Sequence, residues 1–172
     1  MTADSAPDRI DDLAERVGKA LSRRGWTLVT VESCTGGWVA QAVTAISGSS
    51  AWFDRGFVTY SNEAKQELVG VSAATLMVHG AVSEETAGEM ALGGLARSRS
   101  TLAVSITGVA GPTGGTPAKP VGMVCFAWAV RDGAVTKVTC HFTGDRRDVR
   151  RRSVERALQG ALDAVEAAIR IR

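Results

Sequence analysis

Ile10, Leu13, Ala14, Val17 and Leu21 recur at three- and four-residue intervals, with acids in the early turns and arginines in the last. That spacing and charge order predict an amphipathic helix over residues 8–24. The pattern changes at WTLVTV, 26–31, a β-rich run read as a strand, which stops at ESCTGG, 32–37, before the short buried helix WVAQAVTAI. Ser33 to Gly37 is therefore placed on a strand-to-helix turn. After the loop SGSS, RGFVTY, 55–60, reads as a second strand, and NEAKQELVG as a helix capped by Ser61 and stopped by Gly70. Lys65 falls in the first turn and a half of that helix. VSAATLMVHG predicts a further short helix, and SEETAGEMALGGLARSRS, 83–100, a longer one that Ser83 caps ahead of two glutamates. TLAVSIT, 101–107, is a β-branched strand, and 108–120 is a Gly/Pro-rich loop too polar for the core. Residues 121–142 read as a hairpin turning at Asp132-Gly133, and one long helix runs from about Asp145.

Strands interleaved with helices, together with one antiparallel hairpin, predict an α/β fold: a single three-layer α/β/α domain with a mixed sheet, its strand order open. A chain of 172 residues with 45% hydrophobic content is long enough for one well-filled core, and 22% charge argues against general disorder. Nineteen glycines against four prolines imply many tight turns and close backbone approaches. The domain is expected over residues 8–172, after a disordered tail at 1–7. Cys34, Cys125 and Cys140 form an odd set without C-x-x-C spacing, which fits reduced thiols in the cytoplasm. The acidic N-terminus lacks an apolar signal core, and no run approaches the length of a membrane span, so no membrane partner is expected. A net charge of +2 gives no general drive toward nucleic acid. The one basic concentration, residues 143–156, has six arginines against three acids, and by itself reads as a solvated helix face.

Candidate chemistry gathers at strand ends. Thr35-Gly36, Thr107-Gly108 and Thr143-Gly144 each follow a predicted strand, where Gly-rich turns let backbone N–H groups and hydroxyls approach an anion. The glycine patterns match neither the dinucleotide fingerprint nor the P-loop, which weighs against NAD or ATP but leaves a single phosphate open. Ser49 and Ser50 lie in a Gly-Ser-Ser loop rather than in a G-x-S-x-G elbow. The two histidines, His79 and His141, stand away from other catalytic candidates, so a serine nucleophile here calls for another base. A lysine serves if desolvation or positive neighbours lower its pKa from about 10.4 toward 7. Lys65 is the candidate. Tyr60 stands five residues before it, one more than in the Tyr-x-x-x-Lys pair of short-chain dehydrogenases, and that reading is rejected. A tyrosine at a strand end and a lysine on the next helix still converge on one point.

ESCTGG (32–37), GSSAWFDRGFVTYSNEAK (48–65), residues 70–85, residues 107–122 and FTGDRRDVR (142–150) resemble, in order and spacing, the CinA C-terminal domain family, also called the nicotinamide-nucleotide amidase or NMN deamidase family. The resemblance covers roughly residues 10–170. It implies hydrolysis of the carboxamide of nicotinamide mononucleotide to nicotinate mononucleotide and ammonia, in pyridine-nucleotide recycling, with no metal or organic cofactor. It carries the active serine onto Ser50, and the tyrosine and lysine of YSNEAK onto Tyr60 and Lys65. Ser33, Thr35, Thr107 and Arg147 match further functional positions. On this reading Ser50 attacks, Lys65 transfers the proton with Tyr60 as relay, and Arg147 and the Thr107 region stabilise charge. Ser33, Thr35, Gly36, Ser49, Gly108, Gly111 and Arg146 are the candidates for holding the substrate, and which of them meets its phosphate is open. A homo-oligomer is expected. Many family members carry an additional N-terminal domain resembling molybdopterin-binding proteins, for which residues 1–9 leave no room.

Two other readings compete. One is a non-catalytic module that binds nucleic acid or protein through the arginine-rich helix, with affinity falling steeply in salt. The other is a phosphate-reading hydrolase of a different amide. Within the amidase reading, Ser33, Ser49 or a directly activated water are the alternatives to Ser50 as nucleophile.

Overall fold

The computed structural model describes residues 6–169. In chain order its elements are α1 (Ala6–Arg24), β1 (Leu28–Glu32), α2 (Trp38–Thr44), a single 3₁₀ turn (Ser49–Ala51), β2 (Phe53–Val58), α3 (Asn62–Val69), α4 (Ala73–His79), α5 (Glu84–Ala96), β3 (Leu102–Gly108), β4 (Met123–Val130), β5 (Val135–His141) and α6 (Arg146–Ile169). Each follows its sequence signal. Ser61 accepts the Ala64 N–H at 3.0 Å to start α3, Gly70 ends it at φ 69°, and Ser83 accepts the Thr86 N–H at 3.1 Å to start α5. Asp132 turns the β4–β5 hairpin at φ 55°. The expected tail at 1–7 lies outside the described residues except for Ala6 and Pro7, which belong to α1.

The sheet runs β2-β1-β3-β4-β5. β1 is parallel to both β2 and β3, and two antiparallel steps bring β5 back into the β3 direction. The carboxyl ends of β1, β2, β3 and β5 therefore share one edge, and every site discussed below depends on which edge a residue occupies.

Alternation along β3 and β4 divides the core in two. Leu102, Val104, Ile106, Val124, Phe126 and Trp128 point toward α1, α2 and α6, where they join Leu13, Val17, Leu21, Leu158 and Ala161. Ala103, Cys125, Ala127 and Ala129 face the other way, against Ala87, Ala91 and Leu95 of α5. Small residues on both sides let α5 lie close to the sheet. Gly94 is required there, because a Cβ would come within 2.6 Å of Val31 Cγ2, and at Gly93 one would meet the Val69 carbonyl oxygen at 1.8 Å.

The opposite layer is filled by aromatics seated on a helical glycine. Phe126 and Trp128 stack with centroids 5.6 Å apart, and the Trp128 indole N–H donates to Ala157 O at 3.0 Å. A Cβ at Gly160 would lie 2.1 Å from the indole ring. Gly160→Ala is accordingly expected to lower stability by about 1–3 kcal/mol, despite the better helix propensity of alanine. Urea unfolding of the variant beside wild type measures it.

Candidate active site

The edge formed by the carboxyl ends of β1 and β2 is a point of divergence. β1 leads into α2 on the α6 side of the sheet, whereas β2 leads into α3 on the α5 side, and such divergence opens a crevice in α/β sheets. Ser33 is the first residue after β1, held by its N–H to Ile106 O at 2.9 Å. Lys65 stands on the first turns of α3 and points back toward β1. Its Nζ lies 2.7 Å from Thr59 O and 3.1 Å from Ser33 Oγ. The amine is 1% exposed and the serine 8%.

Burial weakens the hold of the Lys65 amine on its proton. Burial pushes the Lys65 pKa below its ordinary 10.5, and the only opposing influence is the neighbouring Cys34. That thiol is itself pushed up to about 12, chiefly by burial, so it is uncharged at neutral pH and cannot retain an ammonium beside it. Among the described residues Lys65 forms no ion pair. The amine donates to both Thr59 O and Ser33 Oγ, which fixes it against the serine hydroxyl.

Two residues outside the sequence-derived set build the surroundings of Ser33. Glu32, buried at the end of β1, accepts the Val39 and Ala40 N–H groups at 2.9 and 3.0 Å on its two carboxylate oxygens. It thereby caps α2, whose N-cap Gly37 supplies no side chain. Arg150 reaches over from α6. Its Nε donates to Cys34 O and its Nη2 to Thr35 O, both at 3.1 Å, and the guanidinium lies 5.5 Å from the Trp38 ring centroid. Arg150 sits inside the FTGDRRDVR stretch, so its position was visible in sequence, but its partner was not.

An open cleft of about 920 Å³ adjoins the pair, with Trp38, Ala110, Pro112 and Val121 as apolar walls and Arg146, Arg147 and Arg150 as cations. Ser33 and Lys65 do not line it. Arg150 links the cleft to the Ser33 turn, and Arg146, also on the cleft, donates to the Tyr60 hydroxyl at 3.0 Å and to Gly111 O at 2.8 Å. The start of α6 is fixed by reciprocal bonds. The Asp148 N–H donates to Asp145 Oδ1 at 2.9 Å, and the Asp145 N–H to Asp148 Oδ2 at 3.1 Å.

The remaining expected residues divide by location. Thr107 lies beside the Ser33 turn at the end of β3, but its hydroxyl is turned to Ala81 O at 2.8 Å and is buried. Thr35 is fully buried, and its hydroxyl has no partner among the described residues. The Gly36 N–H closes the turn on Ser33 O at 3.0 Å rather than awaiting an anion. Gly108 and Gly111 answer to packing, since a Cβ would meet Met123 O at 2.8 Å and Val121 Cγ1 at 2.4 Å respectively. Tyr60, 61% exposed, is joined to Arg146 and not to Lys65.

Ser50 stands apart from Lys65 in the fold. It lies in the 3₁₀ turn before β2, exposed to solvent, whereas Lys65 follows β2. A six-residue strand of roughly 17–20 Å separates them, so the structure does not bring the pair together. Ser49 shares that location and is enclosed by the turn, its N–H on Ile46 O at 3.2 Å. The serine that meets the lysine is Ser33.

A buried amine thus meets a serine hydroxyl at the carboxyl edge of an α/β sheet, beside a cleft with arginines on its wall. Residues 10–165 match the model of the CinA C-terminal domain, and the chain belongs to that family. It is 57% identical over 148 residues to the nicotinamide-nucleotide amidohydrolase PncC of Escherichia coli (strain K12), spanning 86% of this chain and 89% of that protein. With PncC of Pseudomonas putida the identity is 48% over 156 residues, spanning 90% and 96%. Among solved structures, the competence/damage inducible protein CihA from Agrobacterium tumefaciens superposes with a TM-score of 0.89 at 45% identity, over 92% of this chain and 96% of that one.

Lys65 also makes stability depend on pH. Between its lowered native pKa and 10.5 the unfolded chain holds a proton that the native state has released, so native stability rises with pH across that window. Lys65→Met lacks this slope. Unfolding free energies in urea from pH 7 to 10 are expected to rise with pH in wild type relative to the variant.

Proposed function

We propose that the chain is a nicotinamide-nucleotide amidohydrolase that converts nicotinamide mononucleotide to nicotinate mononucleotide and ammonia, with Ser33 as nucleophile and Lys65 as its base. The contact that carries this reading is the buried Lys65 amine on the Ser33 hydroxyl at 3.1 Å. The names of the similar PncC proteins supply the substrate.

The neutral Lys65 amine takes the hydroxyl proton as Ser33 Oγ bonds to the carboxamide carbon, giving a tetrahedral oxyanion and an ammonium on Lys65. That ammonium returns its proton to the leaving nitrogen as the C–N bond breaks, releasing ammonia and leaving an ester on Ser33. Water then gives a proton to Lys65 and attacks the ester, and the proton passes back to Ser33 Oγ as the acid departs. The Thr59 carbonyl holds the amine in place and stabilises it when charged. Arg146 and Arg147 on the cleft supply planar donors suited to a phosphate, and Trp38, Ala110, Pro112 and Val121 an apolar surface for the rest of the nucleotide. Tyr60 acts through Arg146, holding that side chain at the cleft, rather than as a proton relay. Of the arginines at the start of α6, Arg146, Arg147 and Arg150 line this cleft, while Arg151 pairs with Glu155 at 2.7 Å.

Ammonia release from nicotinamide mononucleotide tests the assignment. Ser33→Ala and Lys65→Ala are each expected to reduce kcat by at least about 10³-fold, while Ser50→Ala retains wild-type kcat. An inactive Ser50→Ala that folds normally would return the nucleophile to the 3₁₀ turn. With kcat/KM measured against pH, the acid limb follows deprotonation of Lys65, so activity rises with pH, with its midpoint below 10.5.

A further inference from the structure

We propose that Arg150 is a positioning residue that orients the peptide between Cys34 and Thr35 so that the Thr35 N–H serves as a donor to the oxyanion formed on Ser33. The proposal rests on the reading of Ser33 as nucleophile given above.

Arg150 is placed to control peptide planes. Its fork grips two successive carbonyls, Cys34 O through Nε and Thr35 O through Nη2, each at 3.1 Å. Both peptides are trans, the cis bond of the described chain being Gly111-Pro112. In a planar trans peptide the N–H points opposite to the C=O. With the Cys34 carbonyl drawn toward Arg150, the Thr35 N–H is turned away from α6. With the Thr35 carbonyl drawn the same way, the Gly36 N–H is turned back, and it bonds to Ser33 O at 3.0 Å. Gly36 shows the device at work, since the N–H opposite an Arg150-held carbonyl faces the nucleophile's own residue.

The Thr35 N–H has no acceptor among the described residues, although Thr35 is fully buried. Buried backbone donors are nearly always paired. An unpaired one, two residues from the nucleophile and held rigidly by a guanidinium, is a preorganised donor of the kind that stabilises developing negative charge without reorganisation. Neutral partners hold the turn less well than a cation does, because charge-assisted bonds are stronger. A lysine, a point charge on a flexible stem, cannot grip both carbonyls in the same plane. Trp38, against the guanidinium face, keeps the fork from rotating.

Arg150→Lys is the test, read in two independent ways. The first uses a fluorophosphonate, whose phosphonyl oxygen occupies an oxyanion site as the serine is modified, and needs no assumption about substrate. Ser33 in wild type is expected to be labelled, with Arg150→Lys labelled at least about 10-fold more slowly. The second is turnover of nicotinamide mononucleotide, where Arg150→Lys is expected to lose about 10²–10³-fold in kcat, with product affinity within about twofold of wild type and the acid limb of the pH profile unmoved. An unmoved limb separates loss of an oxyanion donor from disturbance of Lys65, and guanidinium added to Arg150→Ala is expected to restore part of the rate. Labelling of Arg150→Lys at the wild-type rate overturns the proposal, as does a kcat loss accompanied by a shifted acid limb, or a wild-type Ser33 that is not labelled. If wild type is labelled but releases no ammonia, the substrate reading fails while the labelling ratio still decides the role of Arg150.

Discussion

An amine withdrawn from water beside a hydroxyl, with no carboxylate to balance its charge, is the interaction around which this molecule is arranged. Burying an ammonium is costly unless it is paired, and here that cost lowers the lysine pKa. The fold keeps Lys65 from water while leaving its amine in reach of Ser33. Parallel neighbours β1 and β2 set the separation, the Ser61 cap starts α3 so that Lys65 projects backward, and Thr59 O gives the amine one fixed acceptor. If α3 began one residue later, the amine would face solvent.

The second support comes from the far end of the chain. α6 rises over the carboxyl edge of the sheet with its first turn locked by Asp145 and Asp148, and each of its first arginines has a different task. Arg146 ties Tyr60 to the 108–122 loop, Arg147 lines the cleft, and Arg150 holds the Ser33 turn. Glu32 completes the arrangement by capping α2, so the Ser33 turn lies between a glutamate and an arginine that hold its neighbours. The resulting site is assembled from β1, β2, α3 and α6, segments separated by up to more than a hundred residues.

Much of the architecture was legible in the sequence because its signals are local. The helical spacing of Ile10 to Leu21, the β-branched run at 101–107, the Asp132-Gly133 turn and the caps at Ser61 and Ser83 depend on neighbours within a few positions, and all appear where expected. Lys65 was singled out by the resemblance of YSNEAK to the family motif, while the two histidines, remote from the other candidates, only pointed to a base other than histidine. The separation of Ser50 from Lys65 was not legible in the same way. Closeness in sequence placed it near Lys65, while β2, running between them, carries the chain from one edge of the sheet to the other. Ser33, thirty-two residues before Lys65, is its neighbour because the carboxyl ends of β1 and β2 lie side by side.

By itself, then, the sequence determined the elements, their caps, the α/β class and the family motifs, because each is written in short-range spacing and residue type. Tertiary structure alone decided which serine meets the lysine, that the Tyr60 hydroxyl turns to Arg146, that Glu32 and Arg150 act as clamps, and that the glycines at 108 and 111 answer to packing. Those outcomes follow from strand order and direction, and a parallel sheet joins residues by edge rather than by distance along the chain.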